Sequence, residues 1–286
     1  VTRPLAAAEI AKVFHDACRA ELDALKPGNV HRYGDDPHVT IADFEASARA
    51  AAPSVGMPMI SVGPRIRLAV EATIGVVGHN TNLGIVLLAA PLAAAALMDA
   101  PGDLRAKLAD VLSGLSIEDA RETYAAIRAA SPGGLGAAPR HDVSTEPGVT
   151  LLEAMREAEG RDRIAWNYTH DFADIFITGL PLLDQALSRR PSLPFATTVT
   201  YLGYLGGIPD TLIARKFGAG QAEQVRQEAA ILSKNLAERP DPDALVPELM
   251  AFDRSLKQRE LNPGTSADLT VATLFAASLR NLEKFR

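Results

Sequence analysis

Residues 71–98 read EATIGVVGHNTNLGIVLLAAPLAAAALM, and the reading of this stretch decides the fold. A helix-compatible run ends near Gly75–Gly78, and a polar knot follows, His79-Asn80-Thr81-Asn82. Sixteen residues without a charge come next, from Leu83 to Met98. Side-chain amides and hydroxyls directly before an apolar helix mark a helix N-terminus, with Thr81 or Asn82 as N-cap. Backbone N–H groups and the positive end of the helix dipole then face the knot, which suits an anion such as phosphate. Plain capping accounts for the same residues. A helix with no polar face has to be enclosed, so Leu83–Leu97 is predicted to be among the most buried helices. The run is shorter than the ~18–20 residues of a membrane span, and Pro91 interrupts it.

Outward from this stretch, 286 residues with 47% hydrophobic content allow a sizeable core. A net charge of −6, with acids and bases mixed along the chain, gives no basic stripe for nucleic acid and no pull toward a membrane surface. Cys18 is the single cysteine, which excludes an intrachain disulfide and a cysteine-rich metal site. It falls on the apolar face of the first helix, a core position. A reducing, cytoplasmic location fits, and the start VTRPLAAAEIAKVF carries charges unlike a secretory signal. An oligomer is compatible with this composition.

Taken in order, Ile10, Val13, Phe14, Ala17, Cys18, Leu22 and Leu25 recur at helical spacing, and the helix stops at Lys26-Pro27-Gly28. Thr40 and Asp43 make a capping box for a helix through Ala51, and residues 65–77 form the helix leading into the knot. Short helices are predicted over 103–113 and 117–130, the second capped by Ser116 with Asp119. Residues 131–148 make the longest loop, with Arg140, His141 and Asp142 as its chemical content. Helices are expected from Val149 to Glu159 and from Asp162 onward, with Pro181 kinking or breaking the latter. Residues 195–206 admit strand or helix, and helix is preferred because no other strand exists to pair with them. Ala222, Val225, Ala229, Leu232 and Leu236 give an amphipathic helix, and the last two helices fall near 244–260 and 266–282. Period-2 alternation is absent. The expectation is one all-α domain of ten to thirteen helices around a buried central helix.

Polar residues gather at five helix boundaries: Lys26–Arg32, His79–Asn82, Arg140–Asp142, Asp210–Lys216 and Asn262–Asp268. None matches a Walker loop, a Rossmann fingerprint, a zinc HExxH helix or a serine-hydrolase elbow. Each also reads as local structure: Asp210 as an N-cap, Asp268 as a capping-box acid behind Thr265, Arg215 and Lys216 as solvated charges. Together they predict a polar pocket, with Lys26–His31, Asn80–Asn82, Asp210–Arg215 and Asn262–Asp268 lining one cleft.

At the same segments the chain resembles the triphosphoribosyl-dephospho-CoA synthase family. The matching pieces are LKPGNVHRYGD (25–35), Phe44-Glu45-Ala46-Ser47, EATIGVVGHNTNLGI (71–85), PDTLIARKFG (209–218) and LNPGTSADLTVATLF (261–275). The resemblance implies an all-α fold and an enzyme joining ATP to 3′-dephospho-CoA with release of adenine, giving a prosthetic-group precursor. Where the branch serving citrate lyase reads N-T-H-K-G, this chain has Asn80-Thr81-Asn82-Leu83-Gly84. That wording is more similar to a branch found in archaea and in one-carbon-metabolising bacteria that use tetrahydromethanopterin. The resemblance therefore leaves a second acceptor open, a pterin- or methanofuran-pathway intermediate. A different class also stays open, a non-catalytic helical protein that binds a nucleotide or coenzyme.

The reaction implied by the resemblance passes through an oxocarbenium-like sugar and needs a held triphosphate, with Mg²⁺ as the expected cofactor. Lys26, Asn29, His31, Asn80, Thr81, Asn82 and Arg215 are the candidate substrate and phosphate contacts. Asp142, Asp210 and Asp268 are the candidate catalytic carboxylates, with Asp210 and Asp268 as metal ligands. The expected partners are ATP and a coenzyme-like acceptor, with no nucleic acid and no membrane.

Overall fold

The computed structural model describes residues 5–34, 40–136, 138, 140–238 and 241–284. Asp35, the last residue of the 25–35 piece, lies outside the described residues. Helix dominates: α1 (Ala7–Leu22), α2 (Ile41–Val55), α3 (Val62–Val77), α4 (Leu83–Leu97), α5 (Leu104–Ser113), α6 (Ile117–Ala130) and α7 (Leu151–Ala158) come first. They are followed by α8 (Arg163–Thr169), a π-helical turn (Asp174–Gly179), α9 (Leu180–Arg189), α10 (Leu193–Gly207), α11 (Thr211–Phe217) and α12 (Ala219–Glu238). A 3-10 turn (Pro242–Leu245), α13 (Val246–Gln258) and α14 (Gly264–Lys284) complete the chain. Among the described residues there is no strand, only an isolated bridge between His31 and Gly34. No helix is long and apolar enough to cross a membrane among those residues.

Among the described residues fourteen α-helices are present against the expected ten to thirteen, because the segment after Asp162 is interrupted at 170–172 and yields both α8 and α9. Asp171 and Phe172 both take positive φ after α8, and the chain re-enters as a π turn. Pro181 is the second residue of α9, directly after the π turn, and the run stays helical through it from Ala173 to Arg189.

The chain falls into two compact units of interleaved segments. The first unit contains Val1–Cys18, Ala42–Ala173 and Phe275–Arg286; the second contains Arg19–Ile41 and Asp174–Leu274. The division falls inside α1 and α14.

In the first unit α4 is the buried element. Val86, Leu88, Ala90, Leu92, Ala93 and Ala95 are wholly inaccessible, as a helix without a polar face requires. Pro91 lies within it without breaking it. A proline cannot donate to the carbonyl four residues back, which is that of Leu87. The Tyr168 hydroxyl donates to the Leu87 carbonyl at 2.6 Å, so the orphaned acceptor is satisfied. Phe14 of α1 meets Phe275 of α14 edge to face, with centroids 5.7 Å apart.

The start of α6 is clasped to the start of α3. Asp119 closes the predicted capping box with Ser116 and also accepts the Gly63 N–H at 2.7 Å. Buried Arg65 holds the turn after α2, donating to the carbonyls of Val55, Met57 and Ile60 at 2.6, 2.7 and 3.0 Å. Burial pulls its guanidinium down to about 10.

The second unit is built around α10, the segment for which strand or helix was open. Tyr201, Leu202 and Leu205 on α10 share one core with Ala222, Val225 and Ala229 of α12 and with Leu249, Phe252 and Leu256 of α13. The side chains of Thr197, Thr198 and Thr200 donate to carbonyls four residues back, at 2.8, 3.1 and 2.9 Å. That bonding satisfies the three buried hydroxyls within the helix itself.

Candidate functional site

Three of the five polar loops meet in the second unit. Lys26–Arg32 follows α1, Asp210 caps α11, and Asn262–Asp268 opens α14. The turn at Pro27-Gly28 is held from two sides. The Tyr201 hydroxyl donates to the Pro27 carbonyl at 2.7 Å, and the Gly28 N–H donates to Asp253 Oδ1 at 2.9 Å.

Lys26 is fully buried, and its ammonium pairs with buried Glu21 and donates to Asn29 Oδ1 at 2.9 Å. Burial pushes the Lys26 ammonium down and the Glu21 carboxyl up; their mutual attraction opposes both, and Asp268 adds its negative charge to the Lys26 side. Asn29 in turn donates from Nδ2 to Asn262 Oδ1 at 2.8 Å.

His31 is wholly inaccessible as well. Its Nδ1 accepts the Tyr33 N–H at 3.1 Å, which puts the ring proton on Nε2. That nitrogen lies 3.2 Å from Asp253 Oδ1, close to it but out of line for a hydrogen bond. The candidate phosphate contacts Lys26 and His31 therefore present no surface to a ligand in this conformation. The reason is physical: both are consumed in fixing the loop on α1 and α13.

Asp253 lies deep in this network. Burial would raise its carboxyl, but His31, the Gly28 N–H and Lys257 outweigh that and hold it below the usual range. A carboxyl depressed on folding adds stability above its unfolded pKa of about 3.9 and loses it as pH falls through the folded value. The urea midpoint of the protein should thus fall on acidification below about pH 5, and less steeply in Asp253→Asn. Equal acid slopes in the two proteins would remove Asp253 from the account.

Asp210 is buried and accepts four hydrogen bonds. Oδ1 takes the N–H groups of Leu212 and Ile213 at 3.0 and 3.2 Å; Oδ2 takes the Ser266 N–H and hydroxyl, both at 2.8 Å. It ties the N-terminus of α11 to the first turn of α14. Thr265 Oγ1 reinforces the tie, 3.0 Å from Thr211 Oγ1 and accepting the Leu212 N–H at 3.2 Å. With both oxygens filled, Asp210 is a clip between two helix starts in this conformation, with no lone pair left for a cation. Asp268, one turn further along α14, is only half-buried, as is Arg215 on α11.

The other two loops belong to the first unit. At the start of α4, Asn82 occupies the N-cap position, yet its side chain makes no cap bond. Asn80 Oδ1 does that work, accepting the Leu83 N–H at 3.1 Å. Thr81 Oγ1 is 2.6 Å from Ser47 Oγ. Expectation named Thr81 or Asn82 as the cap; Asn80 supplies the acceptor because the chain turns once more before α4 begins. This leaves Asn82 Nδ2 buried, with no acceptor among the described residues. Such a donor costs about 1–3 kcal/mol unless something fills its place.

Asp142 shapes its own loop. It accepts from the Ser144 hydroxyl and N–H at 2.6 and 2.9 Å, and from the Ala138 N–H. The Ser144 hydroxyl, helped by those amides, holds its carboxyl down to about 2. It is therefore an ionised turn-former, the opposite of a base poised near neutrality.

Glu21 and Asp253 escaped the sequence reading, and Asn262 and Ser266 entered it only as part of the Asn262–Asp268 loop. Each sits inside or beside an apolar-patterned helix or turn, where a polar side chain reads as the solvated face. Among the described residues no group of three or more His, Cys, Asp or Glu side chains could cage a metal.

Over residues 7–286 the chain matches the CitG family, described as ATP:dephospho-CoA triphosphoribosyl transferase. Its fold is similar to a crystal structure from Archaeoglobus fulgidus, a candidate triphosphoribosyl-dephospho-CoA synthase. The TM-score is 0.65 at 26% identity, covering 83% of this chain and 98% of that one. With a match that leaves out only the first six residues, this chain belongs to the ATP:dephospho-CoA triphosphoribosyl transferase family.

Proposed function

We propose that this chain carries out its family's reaction and that the start of α4 holds a phosphate group of a substrate. The observation that carries the phosphate assignment is Asn82 Nδ2, a buried donor without an acceptor among the described residues, at the N-terminus of a fifteen-residue helix. Helix-terminal amides and the dipole add to it, and all three favour an anion. In the reaction the bond from ribose C1′ of ATP to adenine breaks. A bond from an acceptor hydroxyl oxygen to C1′ forms, and the hydroxyl proton balances the adenine that leaves. The sugar carries positive charge at the crossing point, so nearby carboxylates stabilise it.

Asp268 is assigned as the carboxylate that would approach a Mg²⁺ ion brought by the triphosphate, and Arg215 as added positive charge. A metal that arrives on phosphates needs only one or two protein carboxylates. When bound, the ion would neutralise charge on the triphosphate. Asp210 and Asp142 act as positioning residues, and Lys26, Asn29 and His31 hold the loop they stand in.

The test is incubation of the purified protein with ATP, Mg²⁺ and 3′-dephospho-CoA, with chromatography for free adenine. Adenine release is expected, and Asn82→Ala should raise the KM for a phosphorylated substrate about ten-fold at an unchanged melting temperature. Adenine release only with a pterin- or methanofuran-type acceptor would transfer the reading to that acceptor. A folded protein that releases none with any acceptor would overturn the catalytic reading.

A further inference from the structure

Hydrogen-bond polarity in the second unit runs in one direction. An ammonium can only donate, so the Asn29 atom facing Lys26 Nζ has to be its oxygen. That forces Asn29 Nδ2 toward Asn262, and the Asn262 atom it meets at 2.8 Å has to be Oδ1. Asn262 Nδ2 is then left over. It makes no other hydrogen bond among the described residues, and its residue is half-buried immediately before Pro263 and the first turn of α14. Glu21 anchors the chain of contacts, because only a carboxylate beside it makes a fully buried Lys26 tolerable.

We infer that Asn262 is a substrate contact whose amide nitrogen donates to a phosphate oxygen of the nucleotide, and that Glu21 and Lys26 are positioning residues that fix which way this amide points. A solitary asparagine at a helix start can flip and offer either its oxygen or its nitrogen. Wired through Asn29 to an ammonium, it can offer only the donor. That selects an acceptor-rich ligand, and ATP is one. The inference rests on the transferase reading above for its ligand, so ATP binding and turnover are measured separately.

The experiment compares wild type, Asn262→Ala, Asn262→Asp and Glu21→Gln by calorimetric titration with ATP and Mg²⁺, by adenine release and by melting temperature. Asn262→Asp keeps the acceptor for Asn29 and replaces the outward donor by an anionic oxygen. It should bind ATP at least ten-fold more weakly than wild type, and more weakly than Asn262→Ala. The kcat at saturating ATP should change less than KM. In Glu21→Gln the same KM increase should appear, and adding Asn262→Ala to it should produce no further increase, because both remove one donor. Additive KM effects would overturn the positioning role. ATP affinity unchanged in both Asn262 variants would overturn the contact, even if wild type releases adenine. Wild type that binds ATP and releases no adenine would overturn the transferase reading, with the contact still decided by the titrations. Wild type that binds no ATP would overturn both. Should Glu21→Gln fail to fold, Lys26→Met, which removes the donor facing Asn29, replaces it, with the same non-additivity required.

Discussion

Asp210→Asn is expected to lower folding stability by about 3 kcal/mol, a fall in melting temperature on the order of 6–12 °C for a chain of this size. On sequence alone the substitution looks harmless, because asparagine and aspartate cap helices about equally well. The geometry removes that equivalence. Oδ1 of Asp210 accepts two N–H groups from α11, and Oδ2 accepts an N–H and a hydroxyl from Ser266. An asparagine has one acceptor end and one donor end. Turned one way, its NH₂ meets the Ser266 N–H; turned the other way, it meets those of Leu212 and Ile213. The Ser266 hydroxyl can rotate to accept, but a backbone N–H cannot. Either orientation leaves buried donors unmatched at about 1–3 kcal/mol each. Adenine release should fall with it, because the start of α14 loses its tie. Melting temperature and Mg²⁺-dependent adenine release therefore have to be read on the same preparation. An unchanged melting temperature with lost activity would return Asp210 to the metal.

The elements that local chemistry dictates were legible in the sequence. The charge-free run gave α4 nearly to the residue, and Ser116 with Asp119 gave the start of α6. The 195–206 run was helical for the reason anticipated, since no partner strand exists among the described residues. The π turn at Asp174–Gly179 carried no such signal. A pair of positive-φ residues stands just before it, and nothing in the types Asp171 and Phe172 announces them. At the polar loops the residue types are legible in the sequence, and which of their atoms neighbours occupy is not. Lys26, His31 and Asp210 read as ligand groups because they are charged or titratable and stand at helix ends. Their partners Glu21, Asp253 and Ser266 lie up to 222 residues away, and only folding brings them together. Asn82 shows the reverse case. It read as a cap, and the structure leaves its amide nitrogen without one of its own.

Gly28→Ala should be the other strongly destabilising change, and it has an internal control. Gly28 lies at φ +81°, in the left-handed region where an L side chain costs about 1–2 kcal/mol. A Cβ there would also stand 2.8 Å from Leu256 Cδ1, 2.9 Å from Leu256 Cβ and 2.9 Å from the Leu261 carbonyl oxygen. The first can swing away. The other two cannot move without shifting α13 or its C-terminal turn, which adds about 1–3 kcal/mol. Displacing the turn also pulls the Gly28 N–H from Asp253 and strains the Lys26–Asn29 contact. Gly78 closes α3 at φ +78°, but a Cβ there meets nothing within 4 Å. Gly78→Ala thus isolates the backbone penalty of about 1–2 kcal/mol. In urea unfolding, Gly28→Ala should lie at least about 2 kcal/mol below Gly78→Ala, with weakened ATP binding in the former. Equal losses in the two variants would mean that Leu256 and Leu261 yield at little cost, and that the loop bearing Lys26 and Asn29 is held less tightly than its contacts imply.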